Sequence, residues 1–220
     1  MRLPSDSGRF AVKGRQYAID SLSSMRPEDM IICDTDGFLN DGPTGIVQCA
    51  EIKIHSCIYQ VRPDVQSVVH VHPRYTVLLS TLNQPLVPLC QEGMMLVRNP
   101  LPVWPHVKII QSHDEGMDVA NLLGGGSAVL LFGHGAVTVG ESLSESVTAM
   151  AELEEQSRMN YLALCALGRD YPQIPEALIK EITDRPELSE LEHFKGVIPQ
   201  GGLKMNGTWN YHAEIASEGL

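Results

Sequence analysis

In the stretch VVHVHPRY, residues 68–75, two histidines stand one residue apart in an apolar run. Side chains on an extended strand alternate between faces, so His70 and His72 share one face and Val69 and Val71 the other. That spacing suits chelation of one cation. It suits a buried pair equally well, and a metal site needs further ligands. His134 is a third candidate. It sits in GHG directly after the apolar run AVLLF, where flanking glycines let the backbone bend and the imidazole project from a strand end. Glu51, just ahead of the histidine strand, can reach the same point as a fourth ligand or as a carboxylate base beside the ion. Together, His70, His72, His134 and Glu51 point to a divalent-metal site built from separate segments.

The elements that must position these groups follow from periodicity and punctuation. RFAV and Met30 to Cys33 read as strands, the second followed by an Asp-Gly turn. Between Ala50 and Val61 the positions of Ile52, Ile54, Ile58 and Val61 suit an amphipathic helix that ends before Arg62-Pro63, with Glu51 and His55 on one face. The histidine strand spans Ser67 to His72, and a helix opens at Pro73 and runs through YTVLLSTL. LVPLC and WPHVKII read as strand-like. A polar start at Ser112 and Asp114 opens a helix to Leu123, the glycines at 124–126 stop it, and SAVLLF follows as a buried strand. GHGAVTVG gives a turn and another strand. Ser142 with Glu145 three residues on forms a capping box, and the longest helix runs from there to about Leu167. Its inward face is expected at Leu143, Val147, Met150, Ala151, Tyr161, Leu164 and Cys165. Beyond it, PEALIKEIT and PELSELEHF read as short helices before an irregular tail. One domain over 1–220 is expected, with a helical extension and tail from about residue 170.

The 220 residues carry a net charge of −11, with 43% hydrophobic and 20% charged side chains. That acidity, without a basic run interleaved with aromatics, argues against a nucleic-acid partner. No apolar run approaches the ~20 residues that span a bilayer, so no membrane role is expected. The opening MRLPSDSGRF has no apolar leader, and the five scattered cysteines form no CxxC. A reduced, cytoplasmic chain with mostly buried thiols is the expectation.

From about Phe10 to Leu167 the chain resembles the class II aldolase/adducin family. The residues that carry the resemblance are Glu51 in AEIKIH, His70 and His72 in RPDVQSVVHVHP, and His134 in LLFGHGAVTVGESLSE. The resemblance implies an α/β fold, a three-layer α/β/α sandwich with a mostly antiparallel central sheet. It implies a divalent ion on the three histidines, Zn first, with Mn, Co or Fe(II) as alternatives. It also implies a cyclic homotetramer with its sites at subunit interfaces, acting on a small molecule. In sugar-phosphate members of the family the glutamate moves a proton beside a carbonyl while the ion clasps the substrate oxygens, and Glu51 would take that role. Stabilising charge next to a carbonyl serves retro-aldol cleavage and decarboxylation alike, so the fold does not choose between them.

The departures from the family bear on the substrate. The GNxS-type loop and the TPxG or SPxG turn that cradle phosphate in sugar-phosphate members have no match. Where the second should lie stands KGRQY, and Lys13, Gly14 and Arg15 become candidates for gripping a carboxylate or phosphate. His106, in PVWPHVK, lies near the place where aldolases bring a tyrosine proton donor across the interface, and becomes a second catalytic candidate. His55 is expected to support Glu51 by a hydrogen bond. Gln91 and Glu92 stand as pocket or turn residues.

The favoured reading is a divalent-metal carbon–carbon lyase, an aldolase or decarboxylase acting on a small carbonyl compound or a hydroxylated carboxylic acid. A ferrous, oxygen-using member of the family would instead use His70, His72 and Glu51 as a facial triad. An epimerase or dehydratase of a sugar phosphate, or a non-catalytic adducin-like module, completes the alternatives. Retention of all four metal-site residues weighs against the last.

Overall fold

The computed structural model describes residues 1–15, 25–198 and 207–218. It contains two compact units, Met1–Tyr171 and Pro172–Leu220. Among the described residues of the first unit, the strands are β1 (Arg2–Leu3), β2 (Asp6–Arg15), β3 (Met30–Asp34), β4 (Leu39–Asp41), β5 (Val47–Gln48), β6 (Ser67–Val71), β7 (Val103–Trp104), β8 (Ala128–Leu131) and β9 (Gly135–Gly140). Its helices are α1 (Ile52–Val61), α2 (Arg74–Thr81), α3 (Met94–Val97), α4 (His113–Leu123) and α5 (Leu143–Leu167). The second unit contributes α6 (Glu176–Thr183) and α7 (Gly207–Ser217), with 3-10 turns at Leu188–Glu190 and Glu192–Phe194.

The strands form two hydrogen-bonded sheets. One has the order β1-β2-β3-β4 with β5 on β2, the other β6-β9-β8-β7. Every pairing is antiparallel except β7 with β8. The sheets adjoin where Arg2 N–H donates to Gln66 O at 2.8 Å. The buried Arg2 guanidinium strengthens that seam by donating to the carbonyls of Val65, Ser7, Tyr59 and Arg62, so the cation enters the interior with every guanidinium nitrogen hydrogen-bonded.

The alternation on β8 and β9 sets the layers. Val129, Leu131, Val137 and Val139 share a core with Ile54 and Ile58 of α1 and Val119 and Leu123 of α4. Ala128, Leu130 and Ala136, on the other face, pack with Leu79 of α2 and with Met150 and Leu153 of α5. The second sheet thus lies between two helical layers, an α/β/α arrangement whose strands read as continuous apolar runs because both faces are covered.

Four sequence expectations need correction. LVPLC is not a strand: Val87 exchanges both backbone groups with Asn160 of α5, and Gln156 accepts from Leu89 N–H and donates to the Cys90 and Glu92 carbonyls. WPHVKII contributes to strand only through Trp104, and the rest is a loop. The inward face of α5 is Ser146, Met150, Leu153, Gln156, Ser157 and Asn160, with Leu143 and Ala151 outside, because the helix buries polar side chains that hold the neighbouring loop. In the tail, 207–217 are helical, not irregular, while 199–206 lie outside the described residues. The α4 start behaves as a full capping box between Ser112 and Glu115. At α5, Ser142 accepts from Glu145 N–H, but the Glu145 carboxylate accepts from Glu141 N–H, so the return half of the box shifts by one residue.

Candidate metal centre

Three segments bring the candidate ligands together. His70 stands on β6 opposite Val137 of β9, His72 lies one residue past the end of β6, and His134 sits in the turn between β8 and β9. Glu51 is the residue before α1, at φ −105° and ψ 29°, and its side chain makes no helix cap. It is therefore free to turn inward. The glycine after His134 has a steric reason: a Cβ on Gly135 would stand 2.6 Å from Val71 O and 2.8 Å from His72 Cδ2. Only a residue without a side chain lets β9 approach the imidazoles this closely.

The three rings lie edge to face, with centroids 5.1 Å apart for His70–His72, 5.3 Å for His70–His134 and 4.8 Å for His72–His134. One ligand-capable atom from each ring and one Glu51 oxygen all fall within 4.8 Å of one another. Ligands ~2.1 Å from a tetrahedral ion stand ~3.4 Å apart, so small side-chain rotations close the set. The side chains of His70 and His134 are only 8% and 9% exposed and that of Glu51 16%, which shields the cluster from bulk water while leaving it open to the cavity.

Hydrogen bonding fixes which atoms face the centre. His70 Nδ1–H donates to Ala136 O at 3.0 Å, which leaves the Nε2 lone pair directed at Glu51 Oε2, 3.2 Å away. His134 Nε2 approaches the same oxygen at 3.4 Å, and His134 Nδ1 is buried with no hydrogen-bond partner. Glu51 Oε1 has its own donor, Ile110 N–H at 3.1 Å. Burial alone would raise the Glu51 pKa, but a proton on His70 Nε2, which hydrogen-bonds to Oε2 and which a cation would displace, outweighs it together with the Ile110 amide and the His134 charge and holds the carboxyl down to about 2. Burial first, then the charges of His70 and His134, lowers the pKa of His72, which favours the neutral ring that a metal requires. A borderline divalent cation fits three converging imidazoles with a carboxylate alongside, since it would accept the ring lone pairs that otherwise crowd one another and Oε2.

A cavity of about 770 Å³ opens beside the cluster and is lined by Glu51, His55, His70, His72 and His134 together with Lys13 and Arg15. Alternation on β2 explains the last two: Phe10, Val12 and Gly14 face the core, whereas Ala11, Lys13 and Arg15 take the other side. Gly14 meets no ligand space. A Cβ there would lie 2.1 Å from Ile46 Cγ2 and 2.5 Å from Asp29 O, so its role in this chain is close packing. Gln16 and Tyr17, the rest of KGRQY, lie outside the described residues.

His106 does not reach the cluster within one chain. It is exposed, its N–H donates to Trp104 O, and its ring packs edge-on against Trp104 with centroids 4.7 Å apart. His55 lines the cavity, but its ring packs over Phe10 (centroids 6.5 Å), while Ile110, His70 and His134 occupy the Glu51 oxygens. Gln91 and Glu92 lie away from the cavity wall. Sequence reading missed Ala11, Met30, Cys49, Ile109 and Leu143 on that wall. The β2 alternation would have supplied Ala11, and Met30 follows only once its pairing with Lys13 is known. Ile110 acts through its backbone, which no residue type announces.

Comparison with known proteins identifies the source of this arrangement. The family model described as "Class II Aldolase and Adducin N-terminal domain" matches residues 2–161. The chain is similar to the 4-hydroxy-3-prenylphenylpyruvate oxygenase/4-hydroxy-3-prenylbenzoate synthase of Streptomyces roseochromogenus subsp. oscitans, 31% identical over 149 residues, 68% of this chain and 54% of that protein. It is also similar to a 3,4-dihydroxyphthalate decarboxylase of Rhodococcus jostii, 28% identical over 166 residues, covering 72% of this chain and 68% of that one. It spans about half the length of the first of these. An aldolase II superfamily protein from Pseudomonas syringae shares the fold at TM-score 0.78 and 21% identity, over 99% of this chain and 81% of the other.

Proposed function

The chain belongs to the class II aldolase and adducin family, and on that premise we propose that it is a divalent-metal lyase that cleaves a carbon–carbon bond, by decarboxylation or aldol cleavage, in a small carbonyl compound or hydroxylated carboxylic acid. The observation that carries this reading is the convergence of three imidazoles and the Glu51 carboxylate on one point at the end of a cavity large enough for such a molecule. His70, His72 and His134 would hold the ion, with Zn the first assignment. A bound divalent cation supplies positive charge at the substrate oxygens where negative charge develops as the bond breaks.

The chain's own residues do the rest. Glu51 holds or moves the proton through Oε2, because Oε1 accepts the Ile110 amide. His70 keeps its Nε2 lone pair inward through the Ala136 carbonyl. Lys13 and Arg15 grip an acid group on the β2 side of the cavity. His106, exposed and remote from its own cluster, serves as a proton donor to a neighbouring copy in a homotetramer. The same reading carries a cytoplasmic enzyme with no nucleic-acid partner. No helix among the described residues is long and apolar enough to cross a membrane.

One observation favours a second reading. The Streptomyces relative is named an oxygenase, and His70, His72 and Glu51 have the composition of a ferrous facial triad. Purified protein loaded in turn with Zn, Mn, Co and Fe(II), presented with hydroxy-aromatic carboxylates and aldol donors, tests both. Release of CO₂ or aldehyde without oxygen uptake supports the lyase. Activity confined to Fe(II) with oxygen consumption supports the alternative.

A further inference from the structure

The cavity wall constrains the body of the substrate, and this inference rests on the metal-lyase reading given above. Its charged and metal-ligating side chains are the His–Glu cluster and the pair Lys13 and Arg15 on β2, with His55, Cys49 and Ser67 besides. On the same wall the side chains of Ala11, Met30, Ile109 and Leu143 offer no strong hydrogen-bond donor or acceptor. Met30 stands directly across from Lys13 in the β2–β3 ladder, so an apolar side chain adjoins the cation on the same face. The backbone of β2 cannot substitute for missing side-chain partners, because it is paired with β1, β3 and β5.

A polyhydroxylated chain laid along that wall would leave its middle hydroxyls unpaired. Each buried hydroxyl without a partner weakens binding about 10-fold, the equivalent of ~1.4 kcal/mol. A flat apolar body incurs no such loss and covers Met30 and Ile109, which are 42% and 52% exposed.

We infer that the site selects an aryl acid, with vicinal oxygens at the His–Glu cluster and a carboxylate at Lys13 and Arg15, over a polyhydroxylated acid of the same charge. The specificity-determining residues are Met30 and Ile109, with Lys13 setting affinity for both.

The test compares two probes that share one carboxylate and a vicinal pair of oxygens but differ in body, 3,4-dihydroxybenzoate and threonate. Each is titrated calorimetrically into the Mn(II)-loaded full chain. The expected result is metal-dependent binding of both, with the aryl acid at least 10-fold tighter. Met30→Gln, a change at a half-exposed position, narrows that ratio at least threefold, whereas Lys13→Ala weakens both probes and keeps the ratio. Equal or tighter binding of threonate, still metal-dependent, overturns the aryl preference and leaves the lyase reading standing. A ratio unchanged by Met30→Gln and by Ile109→Gln removes those residues as its source. Failure of both probes to bind in a metal-dependent way counts against the lyase reading itself.

Discussion

Two buried polar clusters lie on opposite sides of the second sheet, and they differ in how their atoms are satisfied. On the α5 side, Asn160 pairs with both backbone groups of Val87 and with the Tyr171 hydroxyl, and Gln156 bonds to Leu89, Cys90 and Glu92. Glu154 completes the seam by accepting from Tyr75 N–H, Thr76 N–H and the Thr76 hydroxyl at the start of α2. Every one of these groups finds its partner within the chain. At the end of β6 the opposite holds: two Nε2 atoms face one carboxylate oxygen, and His134 Nδ1 is buried without a partner. A satisfied cluster fixes structure, while a converging set of lone pairs calls for a cation. The difference separates scaffold from site without reference to any relative.

The comparison breaks most sharply at Glu51. Glu51→Gln keeps an oxygen for the Ile110 amide and removes the base, so turnover on the true substrate falls by ~10²–10⁴-fold while metal content stays at the wild-type level. Steady-state kinetics beside elemental analysis reads both. Full activity in this variant removes Glu51 from proton transfer. On the other side of the sheet, Asn160→Ala strands the Val87 groups and the Tyr171 hydroxyl and lowers stability by about 3 kcal/mol in urea unfolding, with metal affinity unchanged. If metal affinity falls with it, the two clusters are not independent.

Metal itself sharpens the contrast. An ion present at 100 times its dissociation constant stabilises the wild type by ~2.7 kcal/mol, and stabilises Asn160→Ala by the same amount, because only the native site binds it. The smallest effect belongs to His55, where burial leads a shift of the pKa down to about 3. Its folded value lies below the ordinary 6.5, so between these limits the unfolded chain binds a proton that the folded protein refuses, and stability falls as pH is lowered from 6.5 toward 3. Urea midpoints across that window should flatten in His55→Gln. An unchanged slope would assign the acid sensitivity elsewhere.

How much of this was legible in the sequence follows the same division. The buried strand at Ala128–Leu131, the α4 start at Ser112 and Glu115, and the span of α5 are written in local patterns of apolar run, cap and period. So is the possibility of a metal site, since HxH, a glycine-flanked histidine and a nearby glutamate are visible as residue types. The α5 seam was not legible. A helix that buries Ser146, Gln156, Ser157 and Asn160 shows the wrong hydrophobic face, and an apolar run such as LVPLC does not reveal that its backbone bonds go to side chains instead of a ladder. The Ile110 amide that orients Glu51 lies 59 positions away in sequence and carries no side-chain signal, and the Met30 wall position depends on strand register.

The central claim is that the three imidazoles act as one metal site, and the most direct measurement is Co(II) titration followed by visible absorption and elemental analysis of wild type and His134→Ala. One ion per wild-type chain with a ligand-field spectrum is expected, and in the variant that spectrum is lost and the affinity is at least 100-fold weaker. One tightly held ion in His134→Ala, with an unaltered spectrum and an affinity within twofold of wild type, would contradict that claim.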